Sequence, residues 1–181
     1  SFLAIRNYSA FMNYSAVLRM LGHVLQFEAG FLLLPCIVAL IYREKSGFAY
    51  LIMAAVCFVI GVCLSRIKGK SKNFFAKEGF ASVALSWIVM SLAGCMPFVI
   101  SGEIPKFIDA LFETVSGFTT TGASILADVE ALSKASIFWR SFTHFVGGMG
   151  VLVFLLAILP LAGGQNMHLM RAECPGPQVG K

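Results

Sequence analysis

Four stretches of this chain, residues 18–42, 48–64, 80–100 and 142–161, are apolar almost throughout, and that pattern decides which solvent the chain folds in. A helix crossing the hydrocarbon core of a bilayer needs roughly 20 largely apolar residues. Three stretches reach that length easily, and the second, 48–64, is the short one. The chain as a whole is 58% hydrophobic and 13% charged, with a mean hydropathy of +0.83, values too apolar for a soluble domain of this length. The fold class expected is an all-α polytopic membrane protein, with membrane lipid as its main surroundings. Seventeen phenylalanines suit lipid-facing surface, and seventeen glycines suit close contacts between transmembrane backbones.

The net charge of +5 first suggests nucleic acid, but most basic residues fall in short connections between apolar runs. That distribution is membrane topology, and no nucleic-acid partner is expected. Arg6 and Arg19 flank the first run, Arg66, Lys68, Lys70, Lys72 and Lys77 crowd the connection after the second, and Arg171 and Lys181 follow the fourth. With four spans these groups share one side, so both termini are predicted cytoplasmic. The other side holds residues 43–47 and 101–139, where Glu103, Asp109, Glu113, Asp128 and Glu130 face only Lys106 and Lys134, an acidic surface suited to cation entry. Cys36, Cys57, Cys63 and Cys95 lie inside apolar runs and Cys174 stands alone, a pattern of small apolar packers without disulfides or metal ligands. Residues 1–15 are mixed and fit the interface. The chain begins with Ser1, and its first apolar run is too long for a cleaved signal peptide, so a fragment is expected.

Residues 104–116, IPKFIDALFETVS, read as a helix: Pro105 suits a first helical position, and Phe107, Ile108, Leu111, Phe112 and Val115 recur at helical spacing. At about 1.5 Å per residue it is about 18 Å long, half a bilayer. Asp109 and Glu113 would make a full crossing costly, and Gly117 stands where a helix stop belongs. FTTTGAS follows at 118–124. One reading is a re-entrant pore loop, in which threonine hydroxyls and bare carbonyls replace the water shell of a monovalent cation and the half-helix adds its negative end. The other is an ordinary exposed loop after an interfacial helix. A phosphate-cradling loop lacks the following lysine and the preceding strand.

DALFETVSGFTTTGAS at 109–124, WRSFTHFVGGMG at 139–150 and MRAECPGP at 170–177 together resemble the Trk/Ktr/HKT potassium transporters, the membrane subunit of the bacterial TrkH and KtrB kind. The resemblance covers nearly the whole chain. It implies repeats of helix, pore helix, filter loop and helix around one ion path, here preceded by two extra transmembrane helices. The domains expected are 1–78, the interfacial segment and helix pair; 79–165, the first pore repeat; and 166–181, a cytoplasmic connection to the next repeat. Carried onto this chain, Thr120 and Thr121 would supply potassium-coordinating carbonyls before Gly122, with Thr119 and Ala123 at the filter ends. Glycine at Gly122 goes with potassium in the wider family, and serine there with sodium in some plant relatives. A filter needs four converging loops and this chain has one, so truncation is favoured over a four-copy assembly. The resemblance further implies a homodimer in the cell (inner) membrane, with a cytosolic nucleotide-binding regulatory subunit of the TrkA or KtrA type.

Glu28 falls within the first span, where it hydrogen-bonds a neighbouring helix or is protonated, a structural role being favoured over ion coupling. Glu113 is expected to brace the loop, and Arg140, at the outer end of the fourth span, to pair with Glu113 or Asp128. His144 has too few companions for a metal site. Gly147, Gly148 and Gly150 form a close-packing face, and Pro160 kinks or ends the helix. No residue set fits an enzyme, and no cofactor is expected beyond potassium as the transported ion. The function expected is potassium uptake through a carbonyl- and threonine-lined filter, the alternative being a non-conducting anchor or assembly subunit.

Overall fold

The computed structural model describes residues 14–67 and 76–158, with side chains over 14–67 and 79–150, and the described residues form five helices. They are α1 (Tyr14–Tyr42), α2 (Gly47–Ser65), α3 (Ala76–Ser101), α4 (Phe107–Phe118) and α5 (Lys134–Ile158). Among the described residues there is no strand. Among them three helices are long and apolar enough to cross a membrane: α1, α2 and Gly79–Ser101 of α3.

The fourth expected span differs. α5 begins at Lys134 and not at Phe142, and its first half carries Arg140, Thr143 and His144. Hydropathy alone could not find that start, because it is set by capping. Ser133 accepts from the Ser136 amide at 3.3 Å, and Glu44, 90 positions away, accepts from the Lys134 amide at 2.9 Å. The second Glu44 oxygen takes the Ala135 amide at 3.1 Å. A carboxylate on free amides at the positive end of a helix is favourable twice over, through the bonds and the dipole. Pro160, Arg6, Lys68, Lys70, Lys72, Arg171 and Lys181 lie outside the described residues.

α1 and α2 form a tight antiparallel pair. A Cβ on Gly22 would lie 2.8 Å from the Gly61 carbonyl oxygen, so only glycine permits this approach. Gln26 donates to the Ser65 hydroxyl at 3.0 Å, and Arg19 to the Ile67 carbonyl at 3.0 Å. α1 also packs on α3 and α5, and α4 is held between α3 and α5. The pair is joined to the rest by the Tyr50 and Ser136 hydroxyls, 2.8 Å apart, and by the T-shaped Tyr50–Trp139 contact, 6.3 Å between centroids. Trp139 in turn donates to the Gly94 carbonyl at 2.9 Å.

Polarity is distributed as a bilayer solvent requires. Phe27, Leu40, Ile41, Phe48, Phe58 and Val59 are exposed, whereas Glu28, Glu113, Thr114, Ser136 and Thr143 are buried. α4 is the extreme case. Ala110, Glu113, Thr114, Ser116 and Gly117 face its own chain, while Ile108, Phe112 and Val115 point outward.

Candidate functional site

The half-helix is real but shifted from its predicted limits of 104–116. Pro105 precedes it, Lys106 is the N-cap and Thr119 the C-cap. Gly117 does not end the helix. It lies inside, where a Cβ would collide with the Thr143 side chain of α5, so this glycine is explained by packing and not by a turn.

The helix ends instead through a paired-bond motif. The Thr120 amide donates to the Gly117 carbonyl at 2.9 Å and the Thr121 amide to the Ser116 carbonyl at 3.0 Å. That bond pair is the Schellman pattern, whose left-handed position usually falls to glycine. Here it falls to Thr120, with φ at 56°. For a β-branched residue this is a strained conformation, costing about 1–2 kcal/mol. Gly122 has φ at 75° with open space around its Cα, so its backbone conformation, and not crowding, calls for glycine.

Residues 119–122 therefore leave the helix without entering a sheet, and among the described residues their four carbonyls accept no hydrogen bond. The Thr119 hydroxyl donates to the Val115 carbonyl at 2.8 Å. Its oxygen is also 2.8 Å from that of Thr121, which must then be the donor of that second bond. All of residues 119–125 are exposed on the side away from this chain.

Beyond Gly122 this segment, a strand only in the sense of a single run of chain outside any sheet, is clamped. The Ser116 hydroxyl donates to the Ala123 carbonyl at 2.6 Å, and the Ser124 hydroxyl and Ile125 amide donate to Glu113 Oε1 at 2.5 and 2.6 Å. Glu113 Oε2 accepts from Arg140 Nε at 2.9 Å. α4 does not span, and its Glu113 carboxyl feels opposing effects. Burial pushes it up, while the Ser124 hydroxyl, the Arg140 guanidinium and the Ile125 amide together outweigh burial and hold it below the usual carboxylate value. α5 presses on the helix end as well: a Cβ on Gly147 would strike the Phe118 carbonyl, and Gly148 lies against the Thr120 methyl. Gly150 faces the Trp87 ring, which is 6.1 Å from Phe118.

The predicted site residues thus fall in one place: Thr119, Thr120, Thr121, Gly122 and Ala123 on the strand, with Glu113 and Arg140 behind it. Asp128 is not the Arg140 partner; its carboxylate accepts from the Glu130 amide at 2.9 Å. His144 Nδ1 lies 2.8 Å from the Arg140 carbonyl, and among the described residues no His/Cys/Asp/Glu group could hold a metal. Glu28 is fully enclosed with both carboxylate oxygens unpartnered, so the expected hydrogen bond to a neighbouring helix is absent among the described residues. Sequence reasoning missed Ser116 and Ser124 as the strand's fasteners, and Thr143 as the residue packed against Gly117 of the half-helix. The Ser116 and Ser124 hydroxyls flanking the glycine-bearing segment were the one available signal.

The family described as cation transport protein, TrkH, matches residues 45–181. The chain is 41% identical over 172 residues to the Trk system potassium uptake protein TrkH of Salmonella typhimurium, covering 92% of this chain and 35% of that protein. It is 39% identical over 163 residues to the Trk system potassium uptake protein TrkG of Escherichia coli, covering 89% and 34%. The crystal structure of the potassium transporter TrkH from Vibrio parahaemolyticus superposes with a TM-score of 0.78 at 33% identity, covering 86% of this chain and 34% of that one. The chain spans about a third of the length of these relatives. It is a membrane protein, and it belongs to the TrkH family of cation transport proteins.

Proposed function

We propose that this chain supplies the first pore repeat of a potassium uptake protein, with residues 119–123 as one wall of its selectivity filter. One observation carries the reading: the strand is fastened at Ser116 and Glu113, and the helix end before it packs against Gly147, yet among the described residues the carbonyls of Thr119, Thr120, Thr121 and Gly122 accept no hydrogen bond. Unpaired carbonyls are costly unless something else satisfies them, and a dehydrated potassium ion does so. The strand faces away from this chain, as one wall of a pore completed by further loops must. The names of the relatives support potassium as the cargo.

On the same reading the acidic connections face outward and the termini lie in the cytoplasm. Residues 1–78 comprise the interfacial segment and the peripheral helix pair, 79–165 the pore repeat and 166–181 the link to the next. No residue performs catalysis, and the intact protein is a homodimer with a cytosolic nucleotide-binding subunit of the TrkA or KtrA type. Replacing Gly122 by Ser in the intact protein tests the filter. In cells lacking their own potassium uptake, growth on low potassium is expected to fail or to lose its preference over sodium. Equal rescue with unchanged preference would overturn the filter assignment, whereas failure of the unsubstituted protein to rescue would favour a non-conducting anchor.

A further inference from the structure

A second concave site, sharing no lining residue with the strand, lies where the connection after α1 meets the end of α3. It has a volume of about 450 Å³ and is lined by Lys45, Ser46, Phe48, Ile52, Ile100 and Glu103, among others. Small-molecule sites have volumes of roughly 300–1,000 Å³ and combine apolar walls with a few convergent polar groups. Two of those groups are unsatisfied. Ser46 is only 8% exposed and its hydroxyl has no partner among the described residues, and Glu103 Oε2 is buried without one there. Such groups are ordinarily paired in a folded protein, so an orphaned pair in one cavity calls for a ligand. Glu44 also borders the cavity, but its carboxylate is taken up by the Lys134 and Ala135 amides.

The rest of the lining indicates which ligand. Glu103 offers only acceptors and therefore selects a donor, most favourably a cationic one. Lys45 is exposed at the rim and suits a phosphate. Phe48, Ile52 and Ile100 are exposed beside it, at the ends of α2 and α3, where bilayer hydrocarbon gives way to headgroups. Ammonium, phosphate and hydrocarbon in that order describe one molecule.

We propose that this cavity binds the headgroup of a phospholipid bearing a primary amine, with its ammonium on Glu103 and Ser46, its phosphate on Lys45 and its chains along Phe48, Ile52 and Ile100. A choline headgroup has the same charge but no N–H to give. The two lipids therefore separate hydrogen-bonded recognition from simple charge.

The intact protein is purified in mild detergent with equal amounts of phosphatidylethanolamine and phosphatidylcholine, and retained lipid is read by native mass spectrometry. Retention of the ethanolamine lipid about tenfold above the choline lipid is expected, an affinity difference of about 1.4 kcal/mol. Glu103→Gln and Ser46→Ala should each reduce that ratio toward one, whereas Lys45→Ala should weaken both lipids and leave the ratio in place. Equal retention by the unmodified protein overturns the proposal, as does a ratio that neither Glu103→Gln nor Ser46→Ala changes. Preferential retention of phosphatidylglycerol in a parallel sample overturns it too, because the site would then read phosphate alone.

Discussion

Arg140 Nε donates to Glu113 Oε2 across 2.9 Å, fastening α5 to the half-helix directly behind the Thr119–Gly122 segment. The Glu113 side chain is fully buried and that of Arg140 is 18% exposed, so water screens the pair little. Removing one partner strands the other. Arg140→Gln is expected to destabilise the intact protein by about 3 kcal/mol. Adding Glu113→Gln to it should cost less than the sum of the two single changes. Thermal melts of the two single variants and the double variant, run as a cycle, measure that coupling, and strict additivity would show the pair to be uncoupled.

Acid should weaken the same brace. The Glu113 carboxyl is held below its ordinary value of 4.5, so its contribution is complete above that value and is lost as pH falls through its folded-state value. Melting temperature is expected to decline in acid below about pH 4.5, with Glu113→Gln declining less steeply. Parallel acid profiles for the two proteins would contradict this.

Thr120 occupies a left-handed backbone position that glycine adopts without strain. Thr120→Gly removes the strain, and the Thr120 hydroxyl makes no hydrogen bond among the described residues, so stability should rise by about 1 kcal/mol. Thr120→Ala keeps a Cβ and should gain much less. Comparing the two by thermal denaturation isolates backbone strain from loss of the hydroxyl.

Gly147 meets the Phe118 backbone where no Cβ fits. Gly147→Ala is expected to push α5 off the half-helix, costing about 1–3 kcal/mol in stability and impairing ion uptake with it. Gly148→Ala, whose added methyl would meet the Thr120 methyl at an ordinary 3.8 Å, is the matched control and should be tolerated. Uptake rates and melting temperatures of the two variants decide the matter.

Glu44 caps α5 from the connection after α1. Glu44→Ala should destabilise the protein by about 1 kcal/mol, and Glu44→Gln, which keeps one acceptor oxygen, by about half as much. Hydrogen exchange at the first turn of α5 should quicken in the same order. Unchanged exchange would mean that Ser133 caps the helix unaided.

The sequence by itself determined the solvent, the apolar spans, the half-helix and the hydroxyl-rich strand after it. Those features are local: apolar length, helical spacing and a short motif are properties of neighbouring residues and are preserved whatever the rest of the chain does. Helical spacing grouped Ile108, Phe112 and Val115 on one face, yet only packing decided that this face points outward and that Glu113 and Thr114 turn inward. Gly117 illustrates the same division, since a glycine after a helical run reads as a stop until Thr143 is seen against it. The three bonds on Glu113, the left-handed Thr120 and the Glu44 cap were likewise settled by tertiary contact. Each joins groups far apart in the chain or forces a conformation that the residue resists alone, so its energy exists only once the helices have met.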